Sequence, residues 1–233
     1  MTGDLYDDPE LAARYATATA NNVCNAAYER PAMRAAAGDV AGLDVLDAGC
    51  AAGEHAAWLI ANGARTVALD VSPAMVALAR ARLGSSALVI EADLARPLPF
   101  ADGSFDLVFS SLALHYLEDW LPPLREFGRV LRPGGRLVLS THHPFMTVDE
   151  VPAYRQVTLV EETWTGFGPQ PVRVRFYHRP LERMLADLDA AKFRVRRLHE
   201  PVPAPEAEAR DPALAARLRA RPWFLILDAV RGD

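Results

Sequence analysis

Three acids stand where runs of β-branched and aliphatic residues end: Asp47 within Leu43–Ala48, Asp70 closing Thr66–Asp70, and Asp93 just after Ala87–Glu91. Asp70 follows Asp47 by about 20 residues, the interval at which a carboxylate at the tip of a second strand accepts hydrogen bonds from both ribose hydroxyls. After the first run, small residues at Gly49, Ala51 and Gly53 let the backbone turn tightly into a helix, so that a ligand can approach the main chain and the helix N-terminus. A single acid of this kind is as often a helix cap or a solvated loop residue. Three at consecutive strand ends line one crevice, and they suit a nucleoside carrying positive charge.

The elements that must hold these acids alternate. Further strands are expected at Phe105–Ser110 and Arg136–Thr141, with helices at Glu54–Asn62, Pro73–Leu83 and Pro122–Leu131 between them. Such alternation predicts an α/β fold: a Rossmann-like open, mostly parallel seven-stranded sheet with helices on both faces. Ser72-Pro73 sets an N-cap with proline at the first helical position, and Pro133-Gly134-Gly135 is read as the turn that ends the fourth helix. From His142 the pattern changes to an aromatic-rich insertion. Two alternating runs, Gln156–Trp164 and Val172–Tyr177, read as a hairpin. A helix over Pro180–Ala191, a strand over Phe193–His199, a Pro/Ala/Glu linker over Pro201–Asp211, a short Arg-rich helix and a strand over Trp223–Ala229 complete the chain. Before the first strand, helices at Pro9–Ala20 and Pro31–Ala37 are expected to pack across the carboxyl edge of the sheet. The predicted organisation is one domain over 1–233, with 1–40 as an N-terminal helical lid and 142–178 as a substrate cap inserted after the fifth strand.

Composition narrows the function classes. Half the residues are apolar and 24% charged, with a net charge of −5, so no domain-wide basic face exists for a phosphate backbone or an anionic membrane. Four arginines between Arg210 and Arg221 read as a solvated helix face. No apolar run reaches the roughly 18 residues of a membrane span, and the acidic start is unlike a signal peptide. The cytoplasm is the expected location. Two cysteines, Cys24 and Cys50, make neither a disulfide scaffold nor a zinc site.

Taken together, V-L-D-A-G-C-A-A-G at 45–53, A-L-D-V-S-P-A-M at 68–75, E-A-D-L at 91–94, L-P-F-A-D-G-S-F-D-L-V-F-S-S-L-A-L-H-Y at 98–116 and R-V-L-R-P-G-G-R-L-V-L-S at 129–140 resemble the class I S-adenosylmethionine-dependent methyltransferases, in the small-molecule branch with a ubiquinone-biosynthesis-like core. The resemblance implies that Asp47 and the backbone around Gly49, Ala51 and Gly53 hold the methionine portion of S-adenosylmethionine. It implies that Asp70 takes the ribose, that Val71 and Met75 pack on the nucleoside, that Asp93 and Leu94 contact the adenine, and that the Ser110 backbone faces the methionine end. The middle glycine of the usual loop is Ala51 here, which is expected either to force a negative φ or to narrow the approach to the cofactor. Nicotinamide dinucleotides compete for such a loop, but the Asp93 region and the R-P-G-G turn resemble the methyltransferase branch.

The activity so implied is methyl transfer to an O or N, less readily a C, nucleophile of a small metabolite, with natural-product tailoring as a setting. Alternatives are a nucleoside-binding protein without transfer and a protein or peptide methyltransferase. A neutral imidazole can take a proton near pH 7, its usual pKa being about 6.5. His143 is the favoured base because His143-Pro-Phe leads into the cap; His142 and His115 are the other candidates, and His55 and His199 carry little weight. No metal site is expected, since adjacent histidines do not readily chelate one ion. Tyr15, Tyr28, Trp164, Phe167 and Tyr177 are expected around the substrate with His178, and Arg14, Arg30 or Arg179 against an anionic group. Ordinary packing competes with each of these readings. The partners expected are the small-molecule substrate and a second copy in a homodimer, with neither nucleic acid nor membrane.

Overall fold

The computed structural model describes residues 6, 8–165 and 171–232. Seven strands form one sheet in the order β3-β2-β1-β4-β5-β9-β8. They are β1 (Asp44–Ala48), β2 (Arg65–Asp70), β3 (Leu88–Glu91), β4 (Phe105–Ser110), β5 (Leu131–His142), β8 (Phe193–His199) and β9 (Phe224–Arg231). The first five run parallel, and β9 lies antiparallel to both β5 and β8. Between β1 and β4 the strand order reverses, which opens a crevice at their carboxyl ends.

Alternation along the strands divides the core. Val45, Leu107, Phe109 and Val138 face α2 (Arg30–Ala37) and α3 (Glu54–Ala61), while Ala68 and Val89 face α3 and α4 (Pro73–Leu83). On the opposite face Leu46, Val108 and Leu137 pack against Leu124 and Phe127 of α5 (Leu121–Val130) and Met184 and Leu188 of α7 (Leu181–Ala190). Each fully buried Leu or Phe stabilises the fold by roughly 1.5–3 kcal/mol. Ser72 caps α4 as its Ser-Pro signature predicts, its Oγ accepting from the Met75 amide at 3.1 Å.

Three expectations are corrected. Arg132-Pro-Gly-Gly135 does not end a helix: α5 stops at Val130, and the turn loops out of β5 where Phe105 pairs with Leu131 but Leu107 pairs with Arg136. Of the two N-terminal helices only α1 (Pro9–Asn21) crosses the carboxyl edge, packing Ala12 near Ala52, Ala74 and Met75. The second, α2, lies on the sheet face and buries Met33 and Ala37. The Pro/Ala/Glu stretch contains the helix α8 (Pro205–Arg210), held where Ala207 packs on Ala27; α9 (Pro212–Ala220) follows it.

The insertion forms its own antiparallel pair, β6 (Thr158–Trp164) with β7 (Val172–His178), preceded by a short helix α6 (Pro144–Thr147). No helix among the described residues is long and apolar enough to cross a membrane.

Candidate active site

At the crevice between β1 and β4 the chain turns back on itself under tight steric control. Gly49 has φ +84°, and a Cβ there would lie 2.4 Å from the Ala113 Cβ, so the loop and the segment after β4 touch backbone to side chain. The Gly49 and Cys50 amides donate to the Leu69 carbonyl at 2.9 and 2.8 Å, joining the loop to β2. Ala51 adopts φ +45°, so of the two expected effects the negative φ is not the one realised, and its amide donates to Asp70 Oδ2 at 2.8 Å. That hydrogen bond, together with the Ser72 amide on Asp70 Oδ1 at 3.0 Å, braces the carboxylate at the tip of β2.

A cavity of about 450 Å³ opens over this turn. Asp47, Gly49, Ala51, Asp70, Val71, Met75, Asp93, Leu94 and Tyr15 all line it. Gly53 and Ser110 do not. Gly53 packs against Ala79 at the head of α3, and the Ser110 hydroxyl donates to the Ala48 carbonyl at 2.8 Å, so the wall beyond β4 is made by Ser111 and Leu112 instead. Asp47 is buried with its Oδ2 unpaired among the described residues, and burial pushes its carboxyl up to about 7. An unpaired buried acceptor beside a steric cradle that only a Cβ-free residue fills fits the cationic methionine portion of S-adenosylmethionine, with Asp70 and Asp93 placed along the remainder.

Sequence reasoning missed the residue that closes one end of the cavity. Glu29, on a π-helical turn Asn25–Glu29, is 2% exposed, accepts from the hydroxyls of Ser111 at 2.7 Å and Ser140 at 2.5 Å, and faces His55 Nε2 at 3.6 Å. Burial raises its carboxyl, but His55, Ser140 and Ser111 outweigh it and hold the group below the usual range. Its partners lie 82 and 111 residues away, so no local pattern marks it. His55, given little weight from sequence, also lines the cavity, as do Tyr6 and Tyr116, whose hydroxyls share a 2.5 Å hydrogen bond.

The favoured base, His143, does not line the cavity. His143 caps α6, its Nδ1 accepting from the Phe145 amide at 3.0 Å, while Nε2 meets Glu200 at 3.0 Å; both nitrogens are engaged. His142 and His115 lie behind the cavity wall, stacked on each other. Burial lowers both, His142 to about 3, so neither ring is cationic at neutral pH.

Most of the expected substrate residues hold partners elsewhere in the chain. Tyr28 is buried, its hydroxyl accepting from the Trp223 amide and its ring stacked on Phe224. His178 is held by Thr147 at 2.6 Å and by the Tyr154 carbonyl at 2.9 Å. Arg179 pairs with Asp187 at 2.7 Å, donates to the Glu118 carbonyl and lies over Trp120. Trp164 Nε1 donates to Glu162, and the half-buried Tyr177 reaches Glu118 at 3.5 Å. Arg14 pairs with Glu10 on the surface of α1, whereas Arg30, at the cavity wall, donates to the Thr19 and Ala20 carbonyls. Phe167 lies outside the described residues. Among the described residues no group of three metal-ligating side chains forms.

A family profile described as a methyltransferase domain matches residues 46–139. A crystal structure of an S-adenosylmethionine-dependent methyltransferase from Mesorhizobium loti is 30% identical, with a TM-score of 0.71 over 87% of this chain and 97% of that one. The malonyl-[acyl-carrier protein] O-methyltransferase of Enterobacter lignolyticus is 35% identical over 135 residues, covering 58% of this chain and 49% of that protein. Methyltransferase GfsG of Streptomyces halstedii is 40% identical over 116 residues, covering 48% and 42%. The chain spans about half the length of the curated relatives it matches or less. It belongs to the class I S-adenosylmethionine-dependent methyltransferases, and S-adenosylmethionine is its cofactor.

Proposed function

We propose that this protein moves a methyl group from S-adenosylmethionine to an oxygen or nitrogen of a small metabolite, carbon being the less favoured acceptor, as a single cytoplasmic domain in which α1, rather than the whole of the expected N-terminal lid, covers the carboxyl edge and the insertion after β5 serves as cap. Natural-product tailoring is the setting that fits such a reaction. The observation that carries the reading is the crevice itself. Asp47, Asp70 and Asp93 from three consecutive strand ends line one cavity with the Gly49 turn.

When bound, S-adenosylmethionine supplies a methyl group already activated on a positively charged sulfur. The protein must hold the acceptor in line with that methyl and exclude water. Asp47 sets negative potential at the methionine end, and Asp70 orients the ribose. Glu29 is a positioning residue: through Ser111 and Ser140 it pins the N-terminal segment to the tips of β4 and β5. Tyr6 carries the lid over the donor, its carbonyl accepting from Ser72 Oγ at 2.8 Å.

Calorimetric titration with S-adenosylmethionine, S-adenosylhomocysteine and NAD tests the cofactor reading, since it needs no acceptor. Binding of the first two without NAD is expected. Asp70→Ala is expected to weaken both by at least about tenfold, the loss of charge-assisted hydrogen bonds of about 1.5–3 kcal/mol. Unchanged affinity would remove Asp70 from the ribose site. Binding without turnover across an acceptor panel would favour a nucleoside-binding protein instead.

A further inference from the structure

Behind the cavity wall, between the sheet and the cap, lies a cluster that the donor site does not use. His115 follows β4 in the turn Leu114–Tyr116, and His142 is the last residue of β5, so both stand at the carboxyl edge. Their rings stack with centroids 3.9 Å apart and planes 17° from parallel. Phe176 of the cap meets His142 edge-on at 4.5 Å, and Phe224 runs nearly parallel to it at 6.0 Å. Tyr116 is shared between compartments: it lines the cavity, and its ring lies 4.2 Å from that of His115. Leu112, which also lines the cavity, holds a left-handed φ of +48° and packs in the cluster of Tyr28 and Phe224. Strain of that kind in a non-glycine residue gathers at binding sites.

Both ring nitrogens of His115 and Nδ1 of His142 are buried with no hydrogen-bond partner among the described residues. An unpaired buried group of this sort destabilises the fold, and a ligand with matching groups would recover that cost. A neutral imidazole offers one donor and one acceptor, and burial keeps both rings neutral. The arginines that could have met an anion are engaged elsewhere: Arg179 with Asp187, Arg14 with Glu10, and Arg30 with two backbone carbonyls. A carboxylate or phosphate would therefore meet the imidazole pair without a counter-charge.

We propose that the stacked His115–His142 pair recognises the methyl acceptor, and that the acceptor presents to it an uncharged planar group with a hydrogen-bond donor beside an acceptor, as in a lactam or hydroxy-heteroarene. The proposal rests on the methyltransferase reading for the word acceptor, but the recognition itself does not. The group enters from the donor cavity past Tyr116, as the Tyr6–Tyr116 hydroxyl bridge parts, and lies against the imidazoles within the frame of Phe176 and Phe224. Here the histidines bind and orient; they are not the proton acceptor.

The test uses three probes of similar size: neutral 2-pyridone, anionic benzoate and cationic benzamidinium. The protein is saturated with S-adenosylhomocysteine, and the imidazole carbon-bound proton resonances of its six histidines are followed during each titration. 2-Pyridone is expected to shift the His115 and His142 signals, to leave His199 unmoved, and to bind at least about tenfold more tightly than either ion. His115→Phe and His142→Phe, which keep ring packing, are expected to lose that binding while S-adenosylhomocysteine affinity stays within about twofold. If a phenylalanine variant loses its cooperative melt, His142→Asn, which returns a donor and an acceptor, is expected to bind 2-pyridone and His142→Leu is not. Equal or tighter benzoate binding, 2-pyridone binding that survives both phenylalanine variants, equal binding by His142→Asn and His142→Leu, or a pair that no probe moves would each overturn the proposal. Failure of S-adenosylhomocysteine to bind would instead overturn the cofactor reading, and the same titration without it then decides the recognition.

Discussion

Burial raises the Asp47 carboxyl to about 7, with Asp70 and Glu29 adding to the effect while His55 and the Ala56 amide oppose it. Because the folded pKa lies above the unfolded one, the folded protein keeps a proton through the interval from about 4 to 7 that the unfolded chain has lost. Stability contributed at this site therefore falls as pH rises through that interval. A cationic ligand group reverses the preference by favouring the carboxylate, so donor affinity is expected to rise with pH up to and through 7, with proton release below it. Calorimetry in buffers of different ionisation enthalpy measures both, and a flat affinity between pH 6 and 8 would contradict the placement. Asp47→Asn is expected to melt higher than the parent at pH 8 and to bind the donor more weakly. His143 belongs to a different class. His143→Ala removes an N-cap and is expected to cost about 1 kcal/mol in thermal stability with donor affinity unchanged. The three acids and the loop glycines were legible in the sequence because each is marked by its position next to a strand end. Glu29 was not, since its serine and histidine partners come from three other segments.

At the scale of elements, the donor loop makes two opposite predictions from one geometry. Gly49→Ala places a Cβ 2.4 Å from Ala113 at a φ of +84°, and strain of about 1–3 kcal/mol with overpacking of similar size is expected. Ala51→Gly relieves a left-handed alanine worth roughly 1–2 kcal/mol, offset in part by the greater freedom of glycine in the unfolded chain. Chemical denaturation is expected to show a large loss for the first and little loss or a gain for the second. A clear destabilisation by Ala51→Gly would show that the Ala51 side chain stabilises the loop by packing. Helix α4 begins where its Ser-Pro start predicts and spans the expected Pro73–Leu83, and β4 matches its apolar run, because capping and alternation are short-range. The segment Pro205–Arg210 was not legible as a helix. Its small residues gain stability only by packing against Ala27 of the N-terminal region.

For the whole molecule, the stacked imidazoles couple the cap to acidity. The folded pKa of His142, lowered to about 3 by burial, lies below its unfolded value, and His115 is lowered as well. The unfolded chain thus binds protons that the folded chain cannot, and stability falls as pH drops below about 6.5. Urea unfolding at successive pH values is expected to show this acid loss, and His142→Phe to reduce its slope between pH 6.5 and 4. An unchanged slope would mean that the cap opens to hydrate the pair before the fold gives way. The cap is otherwise held by polar anchors. His178 bridges Thr147 and the Tyr154 carbonyl, and Arg179 ties the segment after β7 to α7 and to the turn before α5.

By itself the sequence determined the alternation of strands and helices, the tight turn after β1 and the acids at successive strand ends, since residue spacing and local turn chemistry act over a few positions. Only the tertiary structure decided which histidines are engaged and which are unpaired, that Arg179 and Tyr28 are anchors, and that Glu29 closes the cavity. Those outcomes depend on contacts between segments many tens of residues apart. The free energy of a buried polar group is set by the partners the fold brings to it, not by its neighbours along the chain.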